Sequence, residues 1–280
     1  MTVASFDHDR VYQLYLNFLE TAESKRRWSI FKDIPWNELD VSKATEVNAR
    51  RIELFCSEEL YLPDYTANAL RLLRSMFGMA WFQTCWAYEE SRHGLVFREY
   101  LIRSGLRSEA EVTQLEEIVF ANVWSLPFET PRQMACYGAL QEGATYTAYK
   151  IQRDLARSAD DKLLETIFFL VGRDEAAHGG FYRALVGMEL AEDREGTIAD
   201  LAFVFSKFKM PGDGLIPDYR QRLKATGAGI SPRMFLEHVA LPLLTTLEIP
   251  RVELKGACKN AATDAEVDSV FDASFRPPAH

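Results

Sequence analysis

The sequence predicts an all-α protein in which one helical bundle dominates. Apolar residues recur at spacings of three and four over long segments, which is the period of an amphipathic helix. The alternation typical of half-buried strands is scarce. Stretches rich in glycine and proline, such as MPGDGLIPDY at residues 210–219, fall between the periodic segments and indicate loops.

The predicted helices follow one another with short connections. PFETPR at residues 127–132 and RSADD at 157–161 predict turns between long helices. GAGISP at residues 227–232 begins like a dinucleotide-binding loop, but it lacks the third glycine and follows no strand, so it too is predicted to be a turn. The main helices are predicted at residues 7–23, 40–74, 77–104, 107–122, 130–157, 160–190 and 194–209, with shorter ones at 217–226 and 231–248.

The composition is that of a soluble globular protein. Of its 280 residues, 48% are hydrophobic and 26% are charged, so the chain is long enough for one large domain or two small ones. We expect one helical domain over residues 1–250. From Pro250 onward the chain is polar, acidic and poor in large apolar residues, which predicts a polar tail over residues 251–280 that lies on the surface or is partly disordered.

Charge and cysteine usage restrict the surroundings of the protein. The net charge of −9 argues against nucleic acid as the main partner. No apolar run approaches the ~20 residues of a membrane span, and no secretory signal is recognisable at the amino terminus. The four cysteines are far apart and form no C-x-x-C pair, which indicates reduced thiols in a cytoplasmic protein.

Two copies of a Glu-x-x-His pattern are candidates for a chemical site. EESRHG contains Glu90 and His93, and RDEAAHGG contains Glu175 and His178. Residues three apart lie on one face of a helix, so each pair presents a carboxylate and an imidazole to the same point. A single such pair is weak evidence, because a solvated acid beside a hydrogen-bonded histidine gives the same pattern.

Two further glutamates, Glu59 and Glu142, extend this pattern. They precede the Glu-x-x-His glutamates by 31 and 33 residues (90 − 59 and 175 − 142). One continuous helix would place such residues about 45 Å apart, but a helical hairpin with its turn midway returns them to the same height. The midpoints lie near residues 74 and 158, which predicts two similar hairpins.

The complete pattern matches the ligands of di-iron carboxylate bundles, in which two helices give a glutamate each and two give Glu-x-x-His. Four buried glutamates are costly without compensating charge. Two divalent ions would balance the four negative charges, and the imidazoles complete a mixed nitrogen and oxygen site suited to iron or manganese. A metal-free helical interaction protein would leave the inward carboxylates unexplained.

At these residues the chain resembles the soluble acyl-acyl carrier protein (acyl-ACP) desaturase family, in its bacterial branch. WAYEESRHGLVFREYLIRSG, LQEGATY and VGRDEAAH are similar to the family's motifs in order and spacing, and the resemblance extends from about Trp28 to Tyr219. It implies a ferritin-like four-helix di-iron bundle with additional flanking helices. It also implies an oxidoreductase of fatty acid metabolism and lipid biosynthesis that uses O₂ to introduce a cis double bond into a carrier-bound acyl chain.

The resemblance implies a role for particular residues. Glu59 is favoured over Glu58 because it stands four residues before Pro63, as the family's ligand stands before its proline. Thr145 matches a catalytic threonine near the oxygen-binding side. The implied metal ligands are Glu59, Glu90, His93, Glu142, Glu175 and His178.

Two further residues match the family's surroundings of the metal site. Asp174 matches an acid that hydrogen-bonds the histidine of the other hairpin, here His93, and such outer carboxylates orient the ligand ring. Trp28 matches a tryptophan on the electron route to that acid.

The second motif departs from the family. Ala176 and Ala177 replace a basic pair and Gly179 replaces an acid, so altered redox tuning is expected. The adjacent Gly179 and Gly180 cost about 1 kcal/mol each inside a helix, which predicts close backbone packing there. Met134 stands where plant relatives have a small residue, so the acyl channel is expected to differ in shape or length.

The implied partners are acyl carrier protein, a ferredoxin-type electron donor and a second copy of the chain in a homodimer. No nicotinamide or flavin motif is present, so the electrons must come from outside. The basic residues Lys25, Arg26 and Arg27 form a candidate docking patch for the acidic carrier.

Two other functions are compatible with the same ligand pattern. Another di-iron oxygenase, such as a hydroxylase, an N-oxygenase or a C–C-cleaving enzyme, would share both fold and ligands. An iron-storage protein would require a large symmetric assembly.

Overall fold

The structure is a computed structural model that describes residues 7–261, and within that range the chain is helical and contains no strand. The predicted all-α class is confirmed. The helices of this range are α1 His8–Thr21, α2 Glu46–Glu59, α3 Leu62–Leu73, α4 Phe77–Arg103, α5 Glu109–Phe120, α6 Pro131–Ser158, α7 Lys162–Glu192, α8 Arg194–Lys207, α9 Tyr219–Thr226, α10 Pro232–Phe235, α11 Leu241–Thr246 and α12 Arg251–Ala261. Short π-helical turns, Ala22–Arg26 and Leu236–Ala240, follow α1 and α10, and a 3₁₀ turn spans Trp36–Glu38.

The two longest helices, α6 and α7, form the predicted second hairpin and pack closely along their length. The turn falls at residues 159–161, inside the RSADD stretch. Asp160 takes a left-handed backbone conformation there, with φ of 53°. The side chain of Asp161 accepts a hydrogen bond from the backbone N–H of Leu164 and so caps α7. Mid-height residues of the two helices therefore face each other.

The first hairpin differs from the prediction because the helix expected over residues 40–74 is divided. α2 ends at Glu59 and α3 begins at Leu62. Pro63 explains the break, since it has no N–H to donate to the carbonyl of Glu59 and its ring would clash with that carbonyl in a continuous helix. The turn into α4 falls at residues 74–76, close to the expected midpoint.

Two apolar cores occupy the bundle, and a polar layer lies between them. On α4, the first core takes buried residues from Met79 to Trp86 and the second takes those from Val96 to Leu101. On α7, the second core takes residues 163–171 and the first takes residues 181–190. The segment between the two cores on each helix is the one that carries Glu-x-x-His.

The region after Pro250 begins with a helix, which differs from the predicted surface tail. α12 packs against α8, and its Leu254 and Cys258 are buried at a spacing of four, on one face. These two residues form a short apolar stripe that the polar composition of the region hides. The rest of the predicted tail, residues 262–280, lies outside the described residues.

The helix predicted at residues 231–248 is present as a continuous helical run over residues 232–246, which contains one π-helical turn. Pro242 stands directly after the π-helical turn, in the first turn of α11. All four cysteines are free and buried. Among residues 7–261, no helix is both long and apolar enough to cross a membrane.

Candidate metal centre

Six side chains from four helices meet in the polar layer, and they are the six that the sequence predicted as metal ligands. They form two overlapping groups of four, and within each group one nitrogen or oxygen atom from each side chain lies within 4.8 Å of those from the others. Glu90 and Glu175 belong to both groups. The first group adds Glu59 and His93, and the second adds Glu142 and His178. The structure thus has two adjacent positions for a cation, with two carboxylates shared between them.

Five buried atoms of this layer lack hydrogen-bond partners in the protein. These atoms are Oε1 of Glu90, Oε2 of Glu142, both carboxylate oxygens of Glu175 and Nδ1 of His178. Nδ1 of His178 lies 2.9 Å from Oε1 of Glu90, but the pair does not have hydrogen-bond geometry. A buried polar atom without a partner costs about 1–3 kcal/mol. Divalent cations among these atoms would remove that cost, so the donor set fits two metal ions of the iron or manganese type.

The buried carboxyl and imidazole groups of these residues shift one another's pKa when no metal is bound. Burial raises the pKa of Glu59 and Glu142 well above the usual value, and neighbouring carboxylates raise it further. Burial would also lower the pKa of His93 and His178, but the surrounding carboxylates hold both well above 6.5. The metal-free site therefore retains protons that a bound metal would displace.

Asp174 stands behind His93, where the sequence placed it. Oδ2 of Asp174 lies 3.4 Å from Nε2 of His93 and accepts a hydrogen bond of 2.8 Å from the indole N–H of Trp28. The buried Trp28 ring stacks on the His93 ring with a centroid separation of 6.4 Å and an angle of 7°. Since Nε2 of His93 is directed at Asp174, Nδ1 faces Glu90 and Glu175, each at 3.2 Å.

Glu89 is a candidate site residue that sequence reasoning missed. Its Oε2 lies 2.7 Å from Nε2 of His178, so Glu89 stands behind His178 as Asp174 stands behind His93. The signal was present in the sequence, because Glu89 directly precedes Glu90 just as Asp174 directly precedes the glutamate of the second motif. Each acid reaches from one hairpin to the histidine of the other and fixes the orientation of that ring.

The predicted docking patch at residues 25–27 is wrong for two of its three members. Lys25 is exposed. Arg26, however, is only 6% exposed and forms ion pairs with buried acids of α4 and α7. Arg27 is mostly buried and pairs with Glu89. The buried partners of both arginines lie more than 60 residues away in the chain, although Arg27 also pairs with the nearby Glu23. The local sequence therefore looks like a solvated charge run.

A cavity with a volume of about 60 Å³ opens beside the metal layer. Thr145 lies on its wall, one helical turn after Glu142, and is 9% exposed. The Thr145 hydroxyl donates to the backbone oxygen of Gln141 at 3.2 Å and accepts from that residue's side-chain amide at 3.1 Å. Met134 lines the same cavity.

Aromatic donors from the opposite hairpin hold the two single glutamates. The Tyr149 hydroxyl donates to Oε1 of Glu59 at 2.6 Å, and the Trp86 indole N–H donates to Oε1 of Glu142 at 3.0 Å. Glu58 also faces the cavity, but it belongs to neither group of four and instead accepts a hydrogen bond from the Tyr219 hydroxyl. Burial raises the pKa of Glu58 to about 7.

The glycine after each histidine faces a helix that carries a ligand glutamate, and the two contacts differ in tightness. A Cβ atom on Gly94 would lie 3.1 Å from Cβ of Glu59, and one on Gly179 would lie 3.4 Å from Cβ of Glu142. A Cβ on Gly180 would meet only the end of an arginine side chain, at 3.8 Å. At the expected pair of close-packed glycines, a Cβ atom would therefore make an ordinary van der Waals contact on Gly179 and a looser contact on Gly180.

Two glutamate helices and two Glu-x-x-His helices around one buried polar layer define a ferritin-like helical protein with a carboxylate and histidine site. The fatty acid desaturase family model matches residues 58–225, a segment that contains all six residues of that site. The chain belongs to this family, which is a family of enzymes.

Comparison with known proteins gives the same result. DesA1 of Mycobacterium tuberculosis, provisionally named an acyl-ACP desaturase, is 25% identical over 261 residues, which cover 84% of this chain and 74% of DesA1. Chloroplastic acyl-ACP desaturase 4 of Oryza sativa subsp. japonica is 30% identical over 154 residues, or 53% of this chain and 37% of its own. The X-ray structure of DesA2 from Mycobacterium tuberculosis covers 89% of this chain and 98% of its own, with a TM-score of 0.63 and 19% identity, which shows the shared fold.

Proposed function

We propose that this protein is an acyl-ACP desaturase that uses two iron ions, O₂ and external electrons to introduce a cis double bond into a carrier-bound acyl chain. The observation that carries the proposal is the buried layer of unpartnered carboxylate and imidazole atoms, arranged in two groups that share two glutamates. Membership in the fatty acid desaturase family and the names of its relatives support the substrate class.

The six buried residues would hold the metals. Glu59 and His93 would hold one ion, Glu142 and His178 would hold the other, and Glu90 and Glu175 could contribute to both. When bound, the two irons supply the O₂ activation that allows hydrogen to be removed from an unactivated CH₂ group. The protein keeps the layer dry, and Asp174 and Glu89 keep each imidazole oriented with Nδ1 toward the carboxylates.

The cavity beside the metal layer would bind the acyl chain. Apolar and aromatic side chains form most of its wall, and the carboxylates of Glu59, Glu142 and Glu175 lie at its inner side. The Thr145 hydroxyl lies on this wall one helical turn after Glu142 and accepts a hydrogen bond from the Gln141 amide, which suits it to hold a proton for the reaction. Met134 would limit the space available to the chain.

Electrons would reach the site through the buried contact of Trp28 with Asp174 and His93. The hydrogen bond from the Trp28 indole and the parallel stacking of its ring on His93 give a continuous contact toward the first metal position. A ferredoxin-type protein is the proposed donor.

The carrier would dock at a groove next to the cavity. Met210 lines both the cavity and the groove, and apolar residues such as Phe208 form the groove's floor. Lys209 and Lys224 are exposed on the groove and form no ion pair within the described part of the chain. These two cations suit an acidic partner and a phosphate-containing arm better than the mostly buried residues 25–27 do.

The outer face of α4 would contact a second copy of the chain. Phe77, Trp81, Tyr88 and Leu95 are all at least half exposed, and the last three follow one another at intervals of seven. An apolar stripe of this length on one helix face is typical of an interface. Sedimentation of wild-type protein and of Trp81→Glu tests the proposed homodimer, because a charge at the stripe should favour the monomer.

The proposed activity is tested with iron-loaded protein, a reducing ferredoxin system, O₂ and acyl-ACP. We expect an acyl chain two hydrogens lighter with a cis double bond, as seen by mass spectrometry of the released fatty acid. A product heavier by one oxygen would identify a hydroxylase and contradict desaturation.

Carrier docking is tested by charge reversal. Lys209→Glu with Lys224→Glu should raise KM for acyl-ACP about tenfold or more with little change in kcat, because two favourable charges become repulsive. Lys25→Glu is the matched control and should leave KM unchanged. A larger effect at Lys25 would place the carrier at the amino-terminal basic stretch instead.

A further inference from the structure

The two Glu-x-x-His motifs differ in whether they supply a cation to the acid that contacts the histidine of the opposite hairpin. Arg92 stands two residues after Glu90, and its Nη2 donates to Asp174 at 3.1 Å. The corresponding position of the second motif, two residues after Glu175, is Ala177. The second motif therefore cannot supply a cation to Glu89 in the way that the first motif supplies one to Asp174.

The cations that donate hydrogen bonds to Glu89 come from the segment after α1, while Arg92 forms only a longer ion pair with Glu89, at 3.8 Å. Nη1 of Arg26 lies 2.9 Å from Oε2 of Glu89, and Nη1 of Arg27 lies 2.9 Å from Oε1 of the same residue. Oε2 of Glu89 is the oxygen that also contacts His178. Burial would raise the pKa of Glu89, but the contacts with His178 and the nearby arginine charge hold it below the usual value.

Arg26 also contacts Asp174, the acid behind His93. The same Nη1 atom lies 2.7 Å from Oδ1 of Asp174. One guanidinium nitrogen thus joins Glu89, which holds His178, to Asp174, which holds His93. Arg26 is 6% exposed, and the Phe18 ring covers its guanidinium at 4.8 Å.

Both motif helices fix the backbone of this segment. Arg173 on α7 donates to the carbonyl of Arg26 at 2.6 Å, and Arg92 on α4 donates to the carbonyl of Trp28 at 2.8 Å. Arg26 closes a π-helical turn, a local structure found often at functional sites. The segment is therefore anchored at the two helices whose histidines it serves.

We propose that Arg26 is a positioning residue of the metal centre: it supplies to Glu89 the cation that the second motif lacks at Ala177, and by contacting Glu89 and Asp174 together it holds both ligand histidines in place. The proposal rests on the proposed function in so far as the six buried residues bind metal. It concerns metal affinity and the environment of each metal, and it does not depend on the substrate or the reaction.

The test compares anaerobic Co²⁺ binding, followed by visible absorption, in wild type, Arg26→Gln and Arg26→Gln/Ala177→Arg. Loss of an outer partner of a ligand weakens metal binding about 10–100-fold. Arg26 acts through two such partners, so we expect a loss of about tenfold, at the lower end of that range, for Arg26→Gln. An arginine at position 177 should recover most of it, because it stands relative to Glu89 as Arg92 stands relative to Asp174. Arg107→Gln is the matched control: Arg107 also pairs with two glutamates but lies away from the site, so the variant should keep wild-type affinity.

Glu89→Gln is a second variant that tests the same contact if Arg26→Gln does not fold. It preserves side-chain size, leaves Arg26 paired with Asp174, and should alter the absorption of one of the two Co²⁺ ions while the other stays as in wild type. Wild-type affinity in Arg26→Gln or unchanged spectra in Glu89→Gln would overturn the proposal, and so would a folded double variant with no recovery. Absence of Co²⁺ binding in the wild type would instead contradict the metal centre itself.

Discussion

The two hairpins present the same residues from different scaffolds. In the second hairpin α6 and α7 are continuous, and Glu142 lies in the interior of a 28-residue helix. In the first hairpin Glu59 is the last residue of α2, directly before the chain turns into α3. Helical hydrogen bonds on both sides therefore fix the backbone of Glu142, whereas those of Glu59 extend only toward the amino terminus. The comparison shows that side-chain contacts across the hairpins can keep two halves of a site equivalent although their local structures differ.

The largest expected difference between the hairpins is in the number of metal ions bound by variants of the ligand residues. Glu175→Ala should lose both metals, because both groups of four contain this residue. Glu142→Ala and Glu59→Ala should each lose one metal and keep the other, since each removes a residue found in only one group. Metal analysis after anaerobic iron loading and desalting measures this directly.

Glu58→Ala is the control for that series. Glu58 is adjacent to Glu59 but outside both groups, so this variant should bind two metals. Loss of a metal in Glu58→Ala with retention in Glu59→Ala would mean that the broken helix presents the other glutamate. Loss of both metals in Glu142→Ala would mean that the two positions cannot be occupied independently.

The raised pKa of one histidine and one glutamate in each hairpin predicts how the stability of the metal-free protein depends on pH. Folding raises the pKa of His93 and His178 above 6.5 and also raises that of Glu59 and Glu142. Groups with a raised pKa bind more protons in the folded state, so their contribution to stability is lost as pH increases through the folded pKa. The metal-free protein should therefore become less stable as pH rises above 6.5.

Metal loading should remove this dependence, because metals displace the protons. Urea unfolding of metal-free and iron-loaded protein at pH 6.5 and about two units higher measures it. Glu90 and Asp174 have a lowered pKa because the histidines stabilise their charge, so their effect appears only at acid pH. Metal-free stability that rises with pH in this window would show that the buried cluster is already deprotonated.

The hydrogen bonds from Tyr149 and Trp86 test whether Glu59, at a helix end, depends more on its side-chain partner than Glu142, inside a helix. Tyr149→Phe removes the hydrogen bond to Glu59, and Trp86→Phe removes the one to Glu142. We expect about a tenfold loss of metal affinity for Tyr149→Phe and a smaller loss for Trp86→Phe, because helix structure on both sides restrains Glu142. Stepwise metal titration of both variants measures the difference. Equal losses would mean that the helix end at Glu59 is as rigid as a helix interior.

Much of this architecture could be predicted from the sequence because it depends on spacing. The intervals of 31, 33 and 3 residues already bring six residues to one height in two hairpins. The helix break before Pro63 was missed because apolar periodicity continues across it. Glu89 was missed although its place before Glu90 matches that of Asp174 before Glu175. The buried arginines could not be found from local sequence, because their role depends on which residues of distant helices face them. Arg26 has the sequence context of a surface charge, and its burial follows only from how α1 ends against α4 and α7.

The smallest expected effect concerns the glycines, and it has opposite sign in the two hairpins. Gly94→Ala would bring a Cβ atom to 3.1 Å from Cβ of Glu59, a contact that requires backbone adjustment, so it should destabilise the protein by about 1–3 kcal/mol. Gly179→Ala has 3.4 Å to Cβ of Glu142, an ordinary contact, and should gain up to about 1 kcal/mol from helix propensity. Thermal or urea unfolding of the two metal-free variants gives the signs. If both substitutions destabilise equally, the two helix pairs are packed with the same tightness. In that case the division of the first hairpin into α2 and α3 does not bring it closer to α4.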